Sequence, residues 1–316
     1  MPSINRTSII SGPARITFGG QQFWSKGDVT LNVVNDRFDI DTAHFGKVDE
    51  RFIGRRVEAS FEPSGRFTAA LADVLWPYGD MAIGTSIFTS SDVPLTINGR
   101  DGRQIVVHAT AITQMPSIRL GVQQTIAGQI TFTGIVKNNT DPADAGAFLT
   151  ESAVAYPGDD GFDVDDILTK PYAAEWGNSS PWDEFLTQDG WEISFATSFA
   201  EQRVDGIGIV DMTLAGLEVT ASAIPVGPTA AQILAKVAPN AAFGTSIATG
   251  DDLVIGEAGT PSVGSPIVTL SRAAMVESGL IFGREAKRVG QTQWVATREI
   301  GTPLFSVTAV PAPNPE

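Results

Sequence analysis

The sequence predicts a mainly β protein built as two tandem antiparallel β-sandwich or partial-barrel domains, each with one packed α-helix. Three observations carry this. Five motifs recur in one order at a nearly constant offset, from Phe18/Trp176 near the start to Phe132/Trp294 near the end. Apolar and polar residues alternate through much of each copy with the period of half-buried strands. One stretch per copy switches to helical spacing, and a proline follows each.

The duplication starts with GPARITFGGQQFWS and KPYAAEWGNSSPWD, which align Pro13/Pro171, Phe18/Trp176, Gly19/Gly177 and Trp24/Trp182. Val29, Leu31 and Val33 then match Trp191, Ile193 and Phe195, and VEASFEPSG matches VTASAIPVG. IGTSIFTSSD (83–92) is answered by FGTSIATGDD (243–252), and GQITF by GQTQW. Order and spacing together identify a tandem repeat.

The elements follow in turn. VTLNV, VEASF, IVVHA and ITFTGIV read as strands. NGRDGR (98–103) joins Asn-Gly to Asp-Gly, a hairpin signal. Phe67, Ala70, Leu71, Val74 and Leu75 line one helical face that Pro77 ends. Pro228-Thr229-Ala230-Ala231-Gln232 opens the equivalent helix as a capping box, and that helix stops before Pro239. The domain plan is an N-terminal arm (1–10), copy 1 (11–140), an acidic surface connector (141–169), copy 2 (170–305) and a C-terminal tail (306–316).

Composition excludes several classes of function. A chain of 316 residues with 42% hydrophobic and 18% charged side chains is globular and large enough for two cores. It has no cysteine, hence no disulfide, thiolate metal site or cysteine nucleophile. The N-terminus MPSINRTSIISG lacks a signal-peptide core and no run reaches membrane-spanning length, so a reducing cytoplasm is the expected folding compartment. The net charge of −15 opposes phosphate binding. Residues 1–140 carry 13 basic and 12 acidic side chains, 141–170 carry 1 and 8, and 171–316 carry 7 and 16, so the acidity lies in the connector and second copy.

No nucleotide-binding, zinc-protease or serine-hydrolase motif occurs, and the glycines of GIGIVD (206–211) lack dinucleotide spacing. His108 has Leu270 as its repeat partner, which points to a half-buried structural role, and His44 lies in a polar, surface stretch. Asp159, Asp160, Asp163, Asp165 and Asp166 depart from the order of a calcium loop and have no equivalent in copy 1, so they read as a solvated linker. No enzyme activity, cofactor or metal is expected.

The stretch NDRFDIDTAHFGKVDERFIGRR (35–56) and its counterpart TSFAEQRVDGIGIVDMTLAGL (197–217) fill one slot between two strands. Both are too long and polar for a tight turn. Two readings stay open: an extended hairpin in solvent, or a projecting arm that pairs with a neighbouring subunit through backbone bonds and interleaved charges. On the second reading the contact residues are Arg37, Asp39, Asp41, Asp49, Arg51, Arg55 and Arg56 in the first arm, and Arg203, Asp205 and Asp211 in the second.

PARITFGG, FWSKGDV, GKVDERFIGRRVEASFEPSG, LWPYGDMAIGTSIF and MPSIRLGVQQTIAGQITFTGIV together resemble the tube domain of long-tailed bacteriophage tails. The likeness spans nearly all of residues 11–140 and, more loosely, 170–305, where the arginine pair and MPSIRL are lost. It implies a virion tail subunit, synthesised in the host cytoplasm, whose rings stack into a tube for DNA passage. With two fused domains it implies a homotrimer of pseudo-sixfold symmetry. Implied partners are further copies of the chain, tape-measure, tail-terminator and tail-tip proteins, and genome DNA in transit without specific binding, with no membrane insertion. The rival reading is a tandem carbohydrate-binding or adhesin-like β-sandwich module. Against it, the aromatics recur at matched, core-like positions.

Overall fold

The computed structural model describes residues 7–10, 13–65, 67–88, 93–121, 124–135, 149–158, 170–177, 180–204, 208–237, 242, 246, 250–282, 287–298 and 301–312. Their strands are β1 (Thr7–Ile10), β2 (Arg15–Phe18), β3 (Gln21–Ser25), β4 (Val29–Thr42), β5 (Gly46–Phe61) and β6 (Pro63–Ser64). Helix α1 (Ala69–Leu75) precedes β7 (Leu95–Asn98), β8 (Arg103–Val107), β9 (Thr110–Gln114), β10 (Ser117–Gly121), β11 (Gln124–Ala127), β12 (Ile130–Ile135) and β13 (Leu149–Ala153). The second half holds β14 (Tyr172–Trp176), β15 (Phe185–Thr187), β16 (Trp191–Val204), β17 (Gly208–Ala223) and β18 (Pro225–Val226). Helix α2 (Ala230–Val237), β19 (Leu253–Glu257), β20 (Pro266–Leu270), β21 (Ala274–Phe282), β22 (Lys287–Val295) and β23 (Phe305–Ala309) complete it.

The repeat is visible strand by strand. One back sheet runs β13-β8-β7-β2-β3-β6 and the other runs β23-β20-β19-β14-β15-β18, the same order in each copy. The arm sheets run β1-β4-β5-β12-β9 and β10-β16-β17-β22-β21, with β11 beyond β10. All four sheets pair antiparallel, so the chain is mainly β as expected.

Two self-contained sandwiches are not what forms. The four sheets make a four-bladed, propeller-like arrangement. The copies exchange a hairpin past Pro116, which has no N–H for a ladder and separates β9 from β10. Past it, the β10–β11 hairpin leaves its own copy and pairs with β16, setting Ile118, Arg119 and Leu120 opposite Ile193, Glu192 and Trp191. In copy 2 the proline's place is taken by Gly279, and β21 continues past it as one strand with a register shift there.

Local signals account for both helices. The Thr68 side chain caps α1 by accepting from the Leu71 amide, and Leu71, Ala72 and Leu75 are buried. At α2 the capping box forms: Gln232 N donates to Thr229 Oγ1 at 3.3 Å, and Thr229 N donates to Gln232 Oε1 at 2.8 Å. The NGRDGR hairpin closes through Gly99 N to Arg103 O, and Gly102 takes a positive φ of 78° there.

One hydrophobic cluster runs through both copies. The matched aromatics Phe18/Trp176, Trp24/Trp182 and Phe132/Trp294 are all buried. Edge strands come from segments whose composition reads as linker. β13, in the connector, pairs with β8, and β23, reaching into the tail, pairs with β20. Four of the five β13 residues are exposed, so backbone pairing holds this strand and no apolar pattern announces it. The Asp159–Asp166 cluster lies outside the described residues.

Candidate assembly interface

The arms are two long hairpins, β4–β5 and β16–β17, with the same irregularities. β5 carries an extra residue between Gly54 and Phe52 and another between Asp49 and Lys47. β17 carries its own between Gly216 and Leu214 and between Asp211 and Ile209, each at the repeat-equivalent position. Bulges bend and twist a hairpin, so repeating both in the same places gives the arms a common curvature.

Arm 1 is a lattice of exposed charges. Arg37 Nη1 lies 3.0 Å from Glu50 Oε1, and Lys47 Nζ lies 2.7 Å from Asp39 Oδ1 and 3.4 Å from Glu50 Oε2. The bond from Arg37 holds the Glu50 carboxyl below its ordinary range, and the bond to Asp39 raises the Lys47 ammonium. Arg51 faces Asp49 at 3.4 Å, and Arg56 faces Glu58 at 3.0 Å. Asp41 sits opposite Lys47 near the tip, and Arg55 lies opposite Asn35. Phe38, Phe45 and Val48 are exposed among them, Phe45 by 83%. Ion pairs of this kind, across the two strands and along β5, order the hairpin but contribute little to global stability.

Arm 2 is built against the first copy. Gly84 N donates to Leu214 O at 2.8 Å, Leu214 N to Thr85 O at 2.9 Å and Ile87 N to Met212 O at 2.9 Å. The first GTSI phrase thus lies along the edge of β17, with a single bridge from Ser86 to Thr213. Ser86 Oγ donates to Asp211 Oδ1 at 2.5 Å, and the same carboxylate oxygen accepts from Met212 N. Ile209, Met212 and Leu214 are buried here. Arg203 holds Glu201 at 2.6 Å, which raises the guanidinium further, and reaches Asp36 of arm 1 at 3.7 Å. Asp205 lies outside the described residues.

Aromatic packing and close backbone approach complete the junction. Trp76 and Tyr78, just past α1, meet Phe195 and Phe199 of β16 with ring centroids 6.0 and 5.8 Å apart. Trp76 Nε1 donates to Pro116 O at 2.8 Å, and the Tyr78 hydroxyl donates to Ile112 O, its pKa pushed up by burial. Leu304 N donates to Gly79 O at 2.7 Å, and Arg298 donates to the carbonyls of Asp80 and Met81. The ring contacts and the bonds from Leu304 and Arg298 cross the repeat boundary, while those of Trp76 to Pro116 and Tyr78 to Ile112 brace the first copy's side of it.

The structure therefore brings Arg37, Asp39, Lys47 and Glu50 together, and separately joins Asp211 to Ser86. Ser86, the junction aromatics and the β10–β11 hairpin escape a reading confined to charged arms. A signal for Ser86 exists: GTSI is among the longest identities between the copies yet is not an alternating core pattern. His108 is half-buried with Nε2 3.3 Å from Thr150 Oγ1. Among the described residues no cluster of three or more His, Cys, Asp or Glu is placed to hold a metal ion, and no helix is long and apolar enough to cross a membrane.

No family model matches the chain, and no curated protein matches it significantly.

Proposed function

We propose that this chain is a tail-tube subunit of a long-tailed bacteriophage or phage-like particle, which closes as a homotrimer of pseudo-sixfold symmetry and stacks into a conduit for DNA. The observation that carries this reading is the internal junction. Copy 1 reaches copy 2 by adding backbone edges to it, Gly84–Ile87 on β17 and β10 on β16. A head-to-tail contact between two like units generates a ring when the rotation closes, and three chains supply six such units. The tube-domain likeness of residues 11–140 supplies the particular ring.

The exposed, charge-laced arm 1 supports the same reading, because a projecting hairpin offers an open backbone edge and interleaved charges to a neighbour. Burial of the matched aromatics weighs against the carbohydrate-binding alternative, which needs rings on an exposed face. Tape-measure, terminator and tip proteins are the further partners, and the virion tail is the proposed location. Negative-stain images and gel filtration of the purified protein test the reading. Rings or tubes are expected; discrete single chains at all concentrations would reject it.

A further inference from the structure

β1 and β10 hold the same place in the two copies. β1 sets Ser8, Ile9 and Ile10 opposite Leu31, Thr30 and Val29 of β4. β10 sets Ile118, Arg119 and Leu120 opposite Ile193, Glu192 and Trp191 of β16. Leu31, Thr30 and Val29 are the repeat equivalents of Ile193, Glu192 and Trp191, in that order. One edge is filled by the chain's own N-terminus, and the equivalent edge by the hairpin of the preceding repeat.

The repeat counterpart of the β10–β11 hairpin is the far end of β21 and the start of β22. β9–β12 and β21–β22 share even their bulge, between Ile112 and Gln114 in one and between Met275 and Glu277 in the other. Carried through that register, Arg119 corresponds to Phe282. Among the described residues β21 is the last strand of its sheet and has a ladder partner on one side only. A second gap lies alongside. The β17 edge at Met212–Leu214 takes Gly84–Ile87, whereas its counterpart on β5, Glu50–Phe52, pairs with no strand but β4 among the described residues. The carboxylate that Ser86 uses, Asp211, has Asp49 at its repeat position, and Ser246 repeats Ser86.

We propose that β1 is a removable stand-in for a neighbouring chain: a second copy docks the far end of its β21, Ile281 and Phe282, opposite Leu31 and Thr30 of β4, and it does so only once β1 has left. This rests on the ring-forming reading above. One strand edge offers one ladder, so the two occupants exclude each other. β1 is four residues long and joins β2 through a short link, so its release leaves the core strands in place. The incoming edge brings the first repeat of one chain against the second repeat of another, reproducing the internal junction between chains. Release of β1 then sets when assembly starts.

The absence of cysteine makes the test clean. Ile9→Cys with Thr30→Cys closes β1 on β4 as a directly opposed pair. The oxidised double variant is expected to remain a single chain by native mass spectrometry, and to form rings on reduction. Deleting residues 2–10 should lower the protein concentration needed for assembly by roughly tenfold. In a separate variant, Thr30→Cys with Phe282→Cys should yield covalently linked chains on a non-reducing gel. If the oxidised lock assembles as readily as the wild type while rings form, the stand-in is rejected and the ring reading survives. If neither the wild type nor the truncated chain assembles, the ring reading fails and this inference falls with it.

Discussion

Ser86 of the first copy donates its hydroxyl to Asp211 of the second across 2.5 Å, joining two positions far apart in the chain. Both are half-buried, so the bond is charge-assisted and only partly screened. Ser86→Ala is expected to cost about 1.5–3 kcal/mol of unfolding free energy, the range for a hydrogen bond to a charged group. Asp211→Asn keeps an acceptor and should cost less. A denaturant double-mutant cycle checks the coupling, and additive losses would show that the two side chains act independently.

Gly79 is a second seam. A Cβ there would collide with the carbonyl oxygen of Phe305, a backbone atom of the other copy. Gly79→Ala must therefore push α1 and β23 apart, with an expected loss of about 2 kcal/mol or more. A lowered denaturation midpoint, with separated transitions for the two copies, is the expected readout.

Arm 1 should be dispensable for folding and required for assembly. Arg37 faces Phe52 in register, so replacing residues 38–51 with Asn-Gly closes the hairpin by a two-residue turn. The shortened protein is expected to unfold at the wild-type midpoint and to form no tubes. Normal tubes from it would reduce the arm to a surface hairpin.

Glu50 titrates below its ordinary value of 4.5 because Arg37 hydrogen-bonds the ionised form; desolvation opposes the shift, and the charges of Arg37 and Lys47 add to it. A depressed carboxyl stabilises the fold above its unfolded pKa, and that contribution is lost as pH falls through the folded value. Side-chain NMR should place the Glu50 midpoint under 4.5, and Arg37→Ala should return it upward. The pair is exposed, so the global unfolding midpoint should hardly move.

Much of this fold is legible in the sequence, for identifiable reasons. Alternation in VTLNV and VEASF, the helical spacing from Phe67 to Leu75 and the Thr229–Gln232 box each encode their element locally. Matched core aromatics reveal the repeat because burial forbids drift in shape at those positions. The β10–β11 exchange is not legible, since it depends on one backbone break at Pro116 and on an edge supplied much later in the chain, where Glu192 meets Arg119. β13 is invisible for the opposite reason, being held by backbone bonds under an exposed, polar sequence. The charges of arm 1 are readable as a patch, but their pairing depends on bulges that move Lys47 beside Asp39 and Glu50.

If two repeats per chain fill six equivalent places, three chains close one ring. Native mass spectrometry of the purified, assembled protein measures this directly. Chains of 33.4 kDa should appear as closed units of about 100 kDa, three chains each, and as stacks of that unit. A hexamer of full chains, or a single chain persisting at high concentration, would contradict it.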